Sequence, residues 1–467
     1  MKLQQVLGRR DVFALAFGAI IGWGWVVLSG SMIDQAGSLG SVIGVLLGAI
    51  VVSLVGLTYA ELTAALPRAG GELGFTYAAM GPTWSWWCGW WLAFAYLGVC
   101  AFEAVAIGTV LTSVAPWLRG SPLYSLAGAP VFGLAIVVGS ATALLIGILN
   151  WRGASISARV QWTATAGLLA VGAALFVAAA ASGDVANLEP RFLGWSGVLN
   201  VLTVTPFLFV GFDVIPQAAE EIRIERRQIG AVILFSIALA AVWYSLVQLS
   251  VGVGLPLAEH ARAELPTAAA ASRLVGSPMA GWVIVIGGLL GILTSWNAFF
   301  VGATRLLFAM GRGQMLPAGW ARLHGRHGTP IVAIAFVTTA SMFAPLLGRQ
   351  ALLWLANAAS LATVIAYAMV TVAFVRLRVR EPAMERPYRV AGGTIFGPLA
   401  VAVTCGFVLL YLPPSPSALA WPFEWGIVGA WVAAGAAVFL RARRSPAWRD
   451  RHAQARALLG EFAPSGD

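Results

Sequence analysis

Charge is what this chain of 467 residues has least of. Only 10% of its residues are charged while 59% are apolar, and its mean hydropathy is +0.84. A soluble fold cannot hide that much apolar surface, so the composition implies a polytopic, all-α membrane protein with no room for a soluble enzyme domain. Cysteine is scarce as well: Cys88, Cys100 and Cys405 fall in or beside apolar runs and make no disulfide framework. The four histidines, His260, His324, His327 and His452, all lie outside those runs. HExxH, GxSxG, haem-type spacings and P-loops are missing, so no catalytic residue, metal site or cofactor is expected. A TVGYG-like filter is missing too, which leaves a channel as a remote reading. The N-terminus lacks a short apolar region followed by a small-residue cleavage site, so the first apolar run is expected to be a retained span.

What the chain does have is about twelve spans. They are expected at Val12–Gln35, Leu39–Leu66, Trp84–Ser113, Pro130–Asn150, Ile156–Ala181, Phe192–Gln217, Ile229–Gly254, Pro278–Met310, Thr329–Leu347, Leu352–Val375, Thr394–Leu412 and Trp425–Leu440. If the N-terminus is cytoplasmic, the inner segments hold 24 of the 29 Lys and Arg, leaving Arg119, Arg191, Arg262, Arg273 and Arg349 outside. That asymmetry obeys the positive-inside rule, with both termini cytoplasmic in the cell membrane. The net charge of +10 is therefore topological and implies no nucleic-acid partner. Trp84, Trp86, Trp87, Trp90 and Trp91 crowd one span start and read as an interfacial aromatic belt. The tail, residues 441–467, reads as a cytoplasmic anchor or short surface helix.

Two spans carry the wrong residues for a continuous helix. The first contains Gly18, Gly22, Gly24 and Gly30, and its Gly22-Trp23-Gly24 core favours local unwinding. The sixth contains Pro206, Gly211 and Pro216, with Asp213 deep in the apolar run. Unwound backbone at membrane depth survives only where it is packed in protein or lines a cavity. It leaves amides facing an anion at one half-helix and carbonyls facing a cation at the other. Two interruptions five spans apart match an inverted-repeat carrier with a substrate site between them.

Several stretches resemble the amino acid–polyamine–organocation transporters, and the resemblance covers nearly the whole chain. Ile20-Ile21-Gly22-Trp23-Gly24 is similar to that family's first-helix motif. So are Tyr59-Ala60-Glu61-Leu62 with Leu66-Pro67-Arg68-Ala69-Gly70-Gly71, Gly211-Phe212-Asp213 with Glu220-Glu221-Ile222 and Arg226-Arg227, and Ala303-Thr304-Arg305-Leu306-Leu307-Phe308-Ala309-Met310, to other family signatures. The resemblance implies a single transporter domain. A first repeat over residues 12–181 is followed by an inverted second repeat over 192–375, with two extra helices over 394–440. It implies alternating access by a symporter or exchanger for an amino acid, with an organic amine or polyamine as the alternative. The substrate carboxylate would meet amides at Gly22, Trp23 and Gly24, and its ammonium the carbonyls near Ile20, Phe207 and Val210. Phe207 resembles the family's aromatic gate, and Phe94 and Gly98 resemble pocket positions. Trp23 departs from the motif, where a small residue is usual, so its indole either narrows the pocket or packs away from it. The family's proton-linked lysine on the fifth helix is missing between Gln161 and Gly172.

Glu61, Glu103 and Asp213 are the ionisable residues within spans, each a functional candidate because burying it is expensive. Glu61 lies near a span end and reads as a structural latch. Glu103 is rotated about 140° from Gly98 on an ideal helix, which need not leave it on the pocket face. Asp213 is expected to bind the ammonium or to change protonation during the cycle. Thr294 and Ser295, mid-span, are candidate sodium ligands, so the coupling ion is left open between proton and sodium.

Overall fold

The computed structural model describes residues 3–114, 117, 120–260, 262–415 and 418–463. Arg119 and the last four residues of the expected tail lie outside the described residues. The chain opens with α1 (Arg9–Ile20) and α2 (Gly24–Ala36), two halves of one span bent by 46° at the residues between them. Next come α3 (Ser38–Ala65), the short α4 (Glu72–Met80) and α5 (Pro82–Val114). A hairpin follows, β1 (Pro122–Leu126) and β2 (Ala129–Phe132), antiparallel with Leu126 opposite Ala129. Its turn, Ala127 at φ 52° and Gly128 at φ 79°, has the two positive values that a tight hairpin requires. Its second strand takes the first three residues of the expected span Pro130–Asn150, which becomes helical only from Gly133.

α6 (Gly133–Trp151) and α7 (Ala154–Ser182) complete the first half. The second half begins with α8 (Trp195–Phe209) and the four-residue α9 (Val214–Gln217), followed by α10 (Arg226–Gly254). α11 (Leu257–His260) and α12 (Pro266–Val275) cap one end, and α13 (Pro278–Arg312) returns. α14 (Ile331–Phe343) and α15 (Gly348–Arg380) precede α16 (Gly393–Leu410) and α17 (Phe423–Arg444). α18 (Pro446–Arg449) and α19 (Arg451–Leu459) form the tail.

Among the described residues ten helices are long and apolar enough to cross a membrane, or eleven when the bent pair counts as one. The helical stretch Ile331–Arg380 runs over 50 residues. As one helix it would reach about 75 Å, far beyond a hydrocarbon core of about 30 Å. The backbone divides it instead, with a tight helical turn over Ala344–Leu347 and Gly348 at φ +67°. The ninth and tenth expected spans fall on either side of that division.

α3 packs on α8 and α10, and α5 on α13 and α15, so the two broken spans sit inside a ring of long helices. The tryptophan cluster corrects the expectation of an aromatic belt. Trp84 is exposed, but Trp86 is fully buried and stacks on Trp90, which stacks on Trp431 of α17. Trp90 and Trp431 each donate an indole N–H to the other's carbonyl, at 3.0 and 3.1 Å. Residues 86, 90 and 94 are four apart, so one face of α5 presents all three rings to a neighbouring helix.

The end of the bundle that carries the N-terminus is held by ion pairs. Glu61 accepts from Arg378, from Arg386 at 3.1 Å and from the Val390 amide at 2.8 Å, the latch its position suggested. Arg305, fully buried, grips Glu221 with bonds of 3.0 and 3.1 Å. Glu220 receives Arg312 at 2.8 Å, with Arg68 at 3.8 Å. Burial pulls the Glu220 carboxyl upward, but the Arg312 and Arg68 guanidiniums outweigh it and hold it below its ordinary value.

Candidate functional site

The first break runs over Ile21–Trp23, where the Gly22 amide can only reach back to the Ile20 carbonyl, at 3.2 Å. The first amides of α2 point onward from there with no intrahelical acceptor. The second break occupies only part of the expected Pro206–Gly211–Pro216 interruption, because α8 runs through Pro206 to Phe209. Membrane helices tolerate proline where neighbours make good the missing bond. The chain leaves the helix at Val210, which is extended, and turns at Gly211 with φ +132°. A Cβ on Gly211 would stand 2.7 Å from the Ala19 carbonyl carbon, so the two breaks touch main chain to main chain.

Beside this contact lies a cavity of about 240 Å³. Ile20, Gly22, Trp23, Gly24, Gly98, Phe207 and Val210 all line it, so most of the expected substrate residues converge on one space. The Trp23 indole both lines the cavity and rests on α13, where Gly288 has no side chain to exclude it. Phe207 is half exposed, at 52%, and stands beside the cavity without sealing it.

Three expected residues lie elsewhere. Phe94 is buried against Trp431, with ring centroids 4.8 Å apart, off the cavity wall. Gly211 forms the back of the break, against Ala19. Asp213 is fully buried behind it, accepting from the Tyr96 hydroxyl at 2.8 Å, the Tyr367 hydroxyl at 2.9 Å and the Gly211 amide at 2.9 Å. Tyr367 does line the cavity, so Asp213 reaches it only through that ring.

Glu103, whose rotation left its face open, lines the cavity. Ala95, Gly98, Val99, Phe102 and Glu103 form one stripe of α5 along the cavity, and Glu103 is its edge. A Cβ built on Gly22 would lie 3.6 Å from Glu103 Oε1 and 3.6 Å from Ser295 Oγ. Glu103 is only 5% exposed, and its Oε2 has no hydrogen-bond partner among the described residues. Ser295 lines the cavity but Thr294 does not; the Thr294 hydroxyl donates to the Gly291 carbonyl of its own helix, at 3.0 Å.

Two side chains that sequence reading passed over organise the breaks. The Tyr244 hydroxyl on α10 lies 3.1 Å from the Ile20 carbonyl and 3.2 Å from the Leu208 carbonyl, spanning both broken helices. A lone tyrosine in mid-span was the available signal. Gln161 on α7, at the start of the lysine-free stretch, donates to the carbonyls of Ala14 (3.1 Å) and Thr294 (3.0 Å) and accepts from Asn297 at 2.8 Å. Asn297 in turn accepts from Asn150 and Ser157. A neutral amide network thus clamps α1 to α7 and α13. Among the described residues no group of three or more His, Cys, Asp or Glu could hold a metal ion.

A family model described as amino acid permease matches residues 7–433. The chain is 29% identical to the branched-chain amino acid permease BcaP of Bacillus subtilis over 432 residues, 88% of each chain. It is 26% identical to the methylthioribose transporter of the same organism, covering 94% of this chain and 93% of that one. The aspartate-proton symporter of Bacillus subtilis is 23% identical over 87% of this chain and 79% of its own length.

Proposed function

Because the chain belongs to the amino acid permease family, we propose that it moves a free amino acid across the cytoplasmic membrane, binding it where the two helix breaks meet. The observation that carries this reading is the convergence of Gly22–Gly24 and Val210 on one cavity walled mainly by apolar side chains. The carboxylate is received by the first amides of α2, at the positive end of that half-helix. The ammonium is received by the carbonyls of Ile20, Phe207 and Val210, with the Tyr244 hydroxyl beside them. The substrate side chain then lies among Val99, Phe207 and Phe299, where no Lys or Arg is available. That lining suits an apolar side chain, and the relative BcaP is named for branched-chain amino acids. Access alternates between two inverted repeats, with both termini cytoplasmic, by symport or exchange.

Proton is the coupling ion we favour, as in the relative named an aspartate-proton symporter. The hydroxyl of Thr294, one of the two candidate sodium ligands, is engaged within its own helix. Counterflow by purified protein in liposomes tests the reading. Saturable exchange of apolar amino acids, absent for their amide or decarboxylated analogues, is the expected result. Exchange indifferent to the carboxylate would overturn it.

Glu103 favours one second reading, an organic amine carrier. A buried carboxyl beside Gly22, with one oxygen free among the described residues and no ion-pair partner there, is a ready partner for an ammonium that has no carboxylate of its own. Glu103→Gln separates the two: amino acid exchange persists within a few-fold, whereas amine exchange is lost.

A further inference from the structure

A second buried acid lies away from the cavity, on the side that carries the N-terminus. Glu72 opens α4 and has no exposed surface. It has no ion-pair partner among the described residues. Its Oε2 accepts from the Gln217 side chain, while its Oε1 has no well-formed hydrogen bond among the described residues and faces the Tyr59 hydroxyl. Around it, the Gln217 Oε1 is also buried without a partner among the described residues, and the Tyr59 hydroxyl is one donor facing these two acceptor oxygens. The chamber is therefore one hydrogen short, and a proton on Glu72 would turn an orphan acceptor into a donor.

Among the described residues the basic side chains on the elements around α4 are engaged elsewhere, Arg68 and Arg312 on Glu220, Arg305 on Glu221 and Arg451 beside Tyr77. α3 presents Tyr59, α5 presents Cys88 and Tyr96, and α15 presents Tyr367. Asp213 and Gln217 come from α9 and the turn before it, and the tail helix α19 presents Leu458 and Leu459 to α4. The start of a helix favours a carboxylate. Burial, and then the Asp213 charge, overcome this and push the Glu72 carboxyl well above its ordinary value.

Glu72 is also mechanically tied to the second broken span. Gln217 is the last residue of α9, and a Cβ on Gly71 would stand 2.4 Å from Pro216 Cβ. Any swing of α9 away from α4 therefore breaks the Gln217 bond and changes the solvation of the acid.

We propose that Glu72 is a proton-binding site whose occupancy depends on where α9 sits, and so on whether substrate is held at the second break. The proposal rests on the carrier reading above and assigns it a place where the driving proton is held. When α9 is packed on α4 the acid keeps its proton. When α9 departs, water reaches the carboxyl and the proton leaves to the bulk on that face.

The test is Glu72→Gln, an uncharged replacement of the same shape, in liposomes. In wild-type protein a proton gradient should raise apolar amino acid accumulation several-fold, with a rate that falls between mildly acidic and mildly alkaline pH. E72Q should exchange substrate yet show a flat pH profile and no response to the gradient. An E72Q protein with the wild-type profile overturns the proposal. Where E72Q transports nothing or does not fold, calorimetry of wild-type protein in buffers of different ionisation enthalpy decides. No change in bound protons when substrate binds overturns the proposal, whereas a change that Glu72→Asp shifts along the pH axis supports it. Wild-type protein that exchanges no substrate would instead count against the carrier reading. A decline in melting temperature toward alkaline pH in the wild type that is missing in E72Q would still report the proton site.

Discussion

Tyr244 concentrates the logic of the site in one hydroxyl. It holds two main-chain carbonyls, Ile20 and Leu208, that belong to different broken helices and would otherwise drift apart. Tyr244→Phe is expected to cost about 1 kcal/mol of stability, the worth of one buried hydrogen bond. It should raise KM for exchange several-fold with a smaller change in the maximal rate, since the carbonyls lose their common tether. Thermal melting and counterflow kinetics on the same preparation check both halves. Glu103 carries the complementary lesson. Its distance from Gly98 along an ideal helix was readable, but the width of the stripe that α5 gives to the cavity depends on its neighbours. Phe94 failed for the same kind of reason: α17 supplies Trp431 as its partner, and that contact spans over three hundred residues of chain.

At the scale of the element, glycine and proline were readable as punctuation, although their division of labour was not. Gly22 marked the first break correctly. In the sixth span the two prolines were the louder signal, yet the turn belongs to Gly211, at a φ that other residues rarely adopt. Gly211→Ala should cost about 1–3 kcal/mol in backbone strain alone. It would also drive a methyl into the Ala19 main chain, so exchange should be lost even where folded protein is recovered. Size-exclusion profiles beside counterflow would detect that split. The clamp on α1 was invisible in the sequence because a glutamine in an apolar run announces neither partner nor geometry. Gln161→Ala leaves the Asn297 amide short of a partner, removes two bonds to the Ala14 and Thr294 carbonyls and should loosen α1, at about 1–3 kcal/mol. Faster amide exchange confined to Arg9–Ile20 would be the signature, and unchanged protection there would refute it.

Across the whole molecule, span number, the paired interruptions and the concentration of basic residues were legible, because bilayer thickness and hydrogen-bond satisfaction constrain them so tightly. The hairpin after α5 and the tryptophan stack on α17 depend on tertiary packing and were not, whereas the division of Ile331–Arg380 was legible as the gap between the ninth and tenth expected spans. The ion pairs at the N-terminal end make a global prediction about acid. The Glu220 carboxyl is held below its ordinary value in the folded protein, so its contribution is present above the unfolded value. That contribution disappears as pH falls through the lower, folded value. Melting temperature in detergent should therefore decline on the acid side, and Glu220→Gln should lower the plateau and flatten that limb.

Leu7 and Ile222 form a short parallel bridge, with Val6 and Leu7 both donating to the Glu221 carbonyl and Arg223 donating back to Leu7. This strip zips the start of one interrupted helix to the far end of the other, so neither can swing out while its partner stays. Departure from this closed arrangement must then behave like a clasp coming undone, in one cooperative step with a barrier. A chemical cross-link between residues 7 and 222 would arrest the transporter with that mouth sealed.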